Sequence, residues 1–264
     1  MGCALDEVDG AAIATGDFIK TMFGAAESAP DLKGTTRTMT NTKDWFRLDN
    51  AAKIFPAIST KKETNTFRIQ IALTEPIDPA GLQKAVDAVL ERYPLFKVRL
   101  KNGFFWKYLD YNIAPFTVQP LPHNVCGSLL PKEHNGYLFQ IYYRGPLFVL
   151  EMFHSLADGS GAIMFVKSIL YEYLTATGKK ITPDNLILTL DSKPTQAEYE
   201  DSQATYYDPK NHAHVKEDKA FFVKGTALPD GYTGLIAGTI STAKMLSLAR
   251  SRQATVTEYL AALM

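Results

Sequence analysis

The sequence predicts an α/β protein, with amphipathic helices packed on a sheet, and three observations carry that prediction. First, Phe67, Ile69, Ile71 and Leu73 alternate with Arg68, Gln70 and Ala72, the period-two pattern of a strand with one buried face. Second, Phe148 to Phe153 is almost continuously apolar, as in a strand buried on both faces. Third, two windows carry a helical apolar stripe. One is Leu82, Ala85, Val86, Val89, Leu90 and Tyr93; the other is Ala162, Ile163, Val166, Ile169, Leu170, Tyr173 and Leu174.

The elements follow in order. Residues 1–43 are small and polar and read as a mobile or partly helical leader. Trp45 to Phe55 is mixed and apolar and is expected to pack on the sheet. Asp78 is placed to cap a helix that has Pro79 at its first position, and Ile77 and Leu82 are spaced as a hydrophobic staple. Pro94 ends that helix. Phe96, Val98 and Leu100 then alternate with Lys97, Arg99 and Lys101. Asn102-Gly103 marks a hairpin, with Phe104 to Leu109 returning as core and hairpin packing. Four prolines make 112–135 a loop. Tyr137 to Tyr143 and Leu147 to Phe153 are two central strands joined at Arg144-Gly145-Pro146. The second stripe forms a long helix ending at Gly178, a C-cap. Residues 191–234 turn polar and read as a connecting segment. A strand at Leu235 to Ile240 and a helix at Thr242 to Ser251 come next. Thr255 to Glu258 is a capping box, and its helix is still apolar at Met264.

Composition narrows the function. With 264 residues and 46% apolar content the chain can build a real core. Lys plus Arg (28) equals Asp plus Glu (28), which argues against nucleic acid and anionic membrane as partners. Cys3 and Cys126 are too few for a disulfide framework or a cysteine-based zinc site. No apolar run approaches the roughly 20 residues of a membrane span. Met1-Gly2-Cys3 suggests a lipid anchor, but the myristoylation pattern wants Ser or Thr where Asp6 stands. These observations predict a cytoplasmic protein.

The residues with chemistry to offer are those around His154. The order is buried strand, His154, a short turn, Asp158-Gly159, then a helix. Histidine suits a base at a strand end because imidazole titrates near neutral pH. General-base action of this kind is typically worth about 10²–10⁴ in rate. The ordinary alternatives are a packed histidine and an Asp-Gly turn with a helix cap. Ser160 and Gly161 stand at a helix start, where a small-residue turn outweighs anion binding. His212 and His214 have the spacing to share a metal, but no matching carboxylate or thiol cluster accompanies them, so they read as solvated linker residues. His123 and His134 read as surface residues of the proline-rich loop.

His154-Ser155-Leu156-Ala157-Asp158-Gly159 resembles the HxxxDG signature of the CoA-dependent acyltransferase superfamily. Members include chloramphenicol acetyltransferase, alcohol acetyltransferases, plant BAHD acyltransferases and peptide-synthetase condensation domains. Arg47 to Pro56 resembles the family's opening segment. Ile77-Asp78, with the helix ending in Glu91-Arg92-Tyr93-Pro94-Leu95-Phe96, resembles its first helix and second strand. Phe153 stands where condensation domains usually carry an extra histidine, so the chain looks most like the alcohol-acetyltransferase-like branch.

The resemblance implies a two-layer α+β sandwich with a mixed, largely antiparallel sheet, spanning 44–190, and the start of a second similar subdomain at 235–264. It also implies that the chain is cut, with a second half or a homo-oligomer completing the site. His154 would be the general base for moving an acyl group, acetyl by preference, from acyl-CoA to a hydroxyl of a small acceptor. No metal would be needed. Asp158 would pair with an arginine, Arg99 being the candidate and Lys97 and Arg92 behind it, and Gly159 would leave room for a close approach. The alternatives are a condensation module acting on carrier-bound acyl groups and an inactive, acyltransferase-like binding protein.

Overall fold

The structure is a computed structural model. It describes residues 45–263, apart from 130–133, 185–186, 196–197, 202–204, 209–218, 220–224, 227, 231, 235 and 237. The expected leader and the pair His212 and His214 lie outside the described residues. The chain divides into two compact units at Thr233 and Gly234.

In the larger unit the strands are β1 (Trp45–Arg47), β2 (Thr66–Ala72), β3 (Val98–Asn102), β4 (Lys107–Tyr111), β5 (Gln119–Pro120), β6 (Phe139–Arg144) and β7 (Leu147–Phe153). The helices are α1 (Ile54–Ile58), α2 (Pro79–Arg92) and α3 (Gly159–Ala176). The class is mixed α/β, and the sheets are largely antiparallel. There are two of them, β1-β4-β3 and β2-β7-β6-β5. An isolated bridge, Arg99 to Tyr137, joins them. The β5–β6 pairing is parallel; it lies in the stretch expected to be loop.

Each helix forms for the reason its sequence states. Asp78 accepts from the N–H groups of Ala80 and Gly81, and Pro79 follows it with no N–H to satisfy. The whole stripe from Leu82 to Tyr93 is buried, Leu82, Val86 and Val89 completely. Helix α3 ends just before Gly178, whose φ of +86° fits the left-handed cap that glycine supplies. Phe165 of α3 stacks on Phe96 at 4.3 Å and meets Phe139 edge-on at 5.2 Å.

Strands β6 and β7 are the interior strands of the four-stranded sheet. Phe148, Leu150 and Met152 share one core with the buried faces of α2 and α3. The other face carries Arg68, Glu151 and Gln140 in one cross-strand row. Glu151 is 1% exposed, and Arg68 forks onto its Oε1 from Nε (2.9 Å) and Nη2 (2.5 Å). The Cys126 N–H donates to the same oxygen at 2.7 Å. The amide of Gln140 donates to the Thr117 carbonyl at 2.7 Å. The loop that follows β4 is thereby tied over this face, and β7 is buried on both sides.

Two local expectations need correction. The β3–β4 hairpin closes through the four residues Gly103–Trp106, because Asn102 pairs with Lys107 and Leu100 with Leu109. A two-residue Asn-Gly turn would have set Phe105 opposite Leu100. The observed register instead buries Leu109 and leaves Phe104, Phe105 and Trp106 outside the core. The second correction concerns 235–240: among the described residues there is no strand here. Ile236 is wholly exposed, and a strand needs a partner edge to pair with.

The unit from Gly234 contains α4 (Thr242–Ser251), capped by the Ser241 hydroxyl, and α5 (Val256–Leu263). The capping box forms as expected, with Thr255 N–H donating to Glu258 at 2.7 Å and Glu258 N–H to the Thr255 hydroxyl at 3.2 Å. No helix among the described residues is long and apolar enough to cross a membrane.

Three buried phenols are expected to weaken the fold at alkaline pH. Burial pushes Tyr93, Tyr142 and Tyr199 up to about 12. Tyr199 also buries its hydroxyl without a partner among the described residues. A folded pKa above the unfolded value of 10.0 means stability is fully present below that pH and is lost as pH rises toward 12. Thermal midpoints are therefore expected to hold up to about pH 10 and then fall steeply. Tyrosinate absorbance should rise together with unfolding, and Tyr93→Phe should flatten the decline.

Candidate functional site

His154 follows the last residue of β7 directly, so the interior strand of the sheet fixes where its backbone sits. Its N–H donates to the Asn65 carbonyl at 2.9 Å, just before β2 begins. Asn65 has a φ of 52°, a left-handed conformation that asparagine tolerates better than most residues. Next in sequence, the buried Ser155 hydroxyl donates to the Ala52 carbonyl at 2.9 Å. The turn is thus anchored to the segment that precedes α1.

The His154 ring is half-buried. It stacks on Phe55 of α1, with centroids 4.5 Å apart and planes 14° from parallel. Phe67 of β2 meets it edge-on at 5.1 Å. Aromatic contacts of this kind are worth about 0.5–1.5 kcal/mol each beyond area burial. Here they orient the ring without using its nitrogens. Neither Asp158 nor any other side chain among the described residues hydrogen-bonds to the imidazole.

The expected clasp between Asp158 and Arg99 does not form. Asp158 is exposed and caps α3, with its Oδ1 accepting from the Gly161 N–H at 2.8 Å. Arg99 forks onto Asp110 through Nε (3.0 Å) and Nη2 (2.9 Å), and Lys101 reaches the same oxygen at 3.0 Å. The reason is register: Asp110 lies directly opposite Arg99 across the β3–β4 pair. Burial raises the Asp110 carboxyl, but Lys101 and Arg99 outweigh it and hold the group below the ordinary carboxylate value. The two arginine substitutes are also engaged. Arg92 is buried and forks onto Glu198, and Lys97 pairs with Glu91.

The absence of a clasp predicts a modest effect. Asp158→Ala should lower stability by about 1 kcal/mol, the usual cost of losing an N-cap. Asp158→Asn should keep the cap and stay within a few tenths of wild type. Thermal melts of both variants test this; a large loss in the Asn variant would require an ion pair that the geometry lacks. A Cβ on Gly159 would meet no heavy atom within 4 Å. Packing against the other described residues therefore does not demand glycine there. Gly161 is tighter, with Ala157 3.4 Å from such a Cβ.

Sequence reasoning missed the Arg68–Glu151 pair on the loop-covered face of the sheet. The signal was present: a carboxylate inside an apolar strand must find a partner, since burying an unpaired charge is costly. His134 also differs from expectation. It is half-buried rather than a surface residue, and its Nδ1 has no partner among the described residues. Exposed His123 matches expectation. Among the described residues no group of three or more His, Cys, Asp or Glu is arranged to hold a metal.

No protein-family model and no curated protein matches the sequence. Solved structures show partial similarity. One is polyketide synthase associated protein 5 from Mycobacterium tuberculosis, 21% identical, with a TM-score of 0.39 over 55% of this chain and 38% of that one. Another is the SgcC5 protein from Streptomyces globisporus, 13% identical, with a TM-score of 0.44 over 62% of this chain and 43% of that one. A third is the starter condensation domain of rhizomide synthetase RzmA, a variant in complex with C8-CoA. It is 13% identical, with a TM-score of 0.42 over 53% of this chain and 38% of that one. The chain thus spans 38–43% of the length of these solved chains.

Proposed function

We propose that the chain carries the base-bearing part of an acyltransferase that moves an acyl group from acyl-CoA to a hydroxyl acceptor, with His154 as general base. The observation that carries this reading is the placement of His154 within the HxxxDG pattern. It stands at the end of an interior strand, aimed by two aromatic rings, with neither nitrogen hydrogen-bonded among the described residues.

An alcohol is a poor nucleophile at neutral pH, because its proton must leave as the new bond forms. The unprotonated nitrogen of His154 accepts that proton. The acceptor oxygen bonds to the thioester carbonyl carbon, and a tetrahedral oxyanion results. Its collapse breaks the C–S bond, and the departing thiolate takes the proton back from the imidazolium. The stack on Phe55 fixes the plane in which that proton moves. Acetyl is the acyl group we favour, with a small or lipid-like alcohol as acceptor and a cytoplasmic setting. A second half or a second copy would wall off the acceptor side.

The test is acceptor-dependent release of CoA thiol from acetyl-CoA by the purified chain. Primary alcohols should raise the rate above hydrolysis. Turnover with amines alone would move the reading to a condensation-type reaction, and release that no acceptor accelerates would overturn transfer by this chain.

A further inference from the structure

We propose that the β3–β4 hairpin tip docks onto a bilayer surface bearing anionic lipid headgroups. Phe104, Phe105 and Trp106 are 91%, 82% and 61% exposed. Three adjacent aromatic rings in water are unusual, because contiguous exposed apolar surface marks an interaction site. The loop presents them by construction. The Gly103 N–H donates to the Trp106 carbonyl at 2.7 Å, and a Cβ on Gly103 would come within 2.8 Å of that oxygen. Phe104 and Phe105 pack edge-on against each other at 4.6 Å.

The surroundings supply the charge. A groove of about 670 Å³ beside the tip is lined by Arg47, Lys53 and Lys107 and by no carboxylate. None of these cations has an ion pair among the described residues. Lys53 donates to the Asn50 side chain at 2.8 Å and Lys107 to the Pro56 carbonyl at 3.2 Å. Of the nearby acids among the described residues, Asp110 is held in ion pairs by Arg99 and Lys101, and Asp49 is turned onto its own backbone, accepting from the Ala52 N–H. Ile54 and Ile58, on the helix whose Ala57 lines the groove, are each more than half exposed. The net charge of zero hides this local excess, which only the fold assembles.

Charge complementarity selects the occupant. Aromatic rings settle at headgroup depth, and flanking Lys and Arg are attracted to anionic lipid. A four-residue tip reaches the headgroup boundary and no further, consistent with docking on a surface.

The experiment is co-sedimentation with phosphatidylcholine vesicles, with and without phosphatidylserine, at low and high salt. Wild type should partition more than about tenfold better onto the serine-containing vesicles, and salt should weaken this. Phe104→Ser/Phe105→Ser/Trp106→Ser should lose that partition while keeping the wild-type circular dichroism and melting point. Arg47→Gln/Lys53→Gln/Lys107→Gln should lose the preference for serine lipid. Equal partition by the aromatic variant, or no partition by wild type, would overturn the proposal. So would a concentration-dependent dimer that the aromatic variant abolishes, which would assign the tip to a second copy of the chain.

Discussion

His154→Ala is expected to lower acceptor-dependent acyl transfer by about 10²–10⁴, the range that general-base catalysis commonly supplies. Stability should change little by comparison. The substitution removes one ring stacked on Phe55 and edge-on to Phe67, contacts worth about 0.5–1.5 kcal/mol each. It leaves intact the backbone bond to Asn65 and the hydroxyl bond from Ser155 to Ala52. The measurement is initial rate against acceptor concentration, with a thermal melt of the same preparation. The loss should fall on turnover rather than on acyl-CoA binding, since the imidazole acts on the acceptor's proton. Near-full activity in the alanine variant would remove His154 from the mechanism.

Glu151→Ala is expected to cost about 3–5 kcal/mol, the usual penalty for stripping one partner from a buried ion pair. It would leave the Arg68 guanidinium facing a void. It would also free the Cys126 N–H, which donates to the same carboxylate oxygen. Denaturant titration checks the size. Arg68→Met combined with Glu151→Leu should recover most of the loss, because an apolar pair of similar volume pays no desolvation. That recovery would show that Glu151 matters as the partner of Arg68 and not as a base in its own right. If the single and double variants melt alike, the pair is not what holds the loop over the sheet.

Much of the fold was legible in the sequence because its signals are local. A helix cap needs only the residues within one turn, so Asp78-Pro79 and Thr255 to Glu258 announced their helices correctly. The apolar run into Phe153 marked an interior strand because burial on two sides excludes polar residues from most positions. Glu151 was the exception in that run, and its partner sits 83 residues away in β2. No local pattern names such a partner.

The candidate site divides the same way. The placement of His154 at a strand end followed from where the apolar run stops. The role of Arg99 did not, since it depends on the register of the β3–β4 hairpin. Asn102-Gly103 suggested a two-residue turn, whereas the chain closes over four residues. Asp110 therefore comes opposite Arg99. Asp158 is left as a helix cap.

The sequence by itself determined the alternation of strand and helix, the caps and the position of His154 at a strand end. Each of these rests on side-chain period and neighbouring residues. Only the tertiary structure decided which charges meet, that Phe55 and Phe67 hold the imidazole, and that three aromatics emerge beside three cations with no ion pair among the described residues. Pairing is a property of distance in space, and strand register sets that distance: a shift of a few residues along one hairpin exchanges every partner across it.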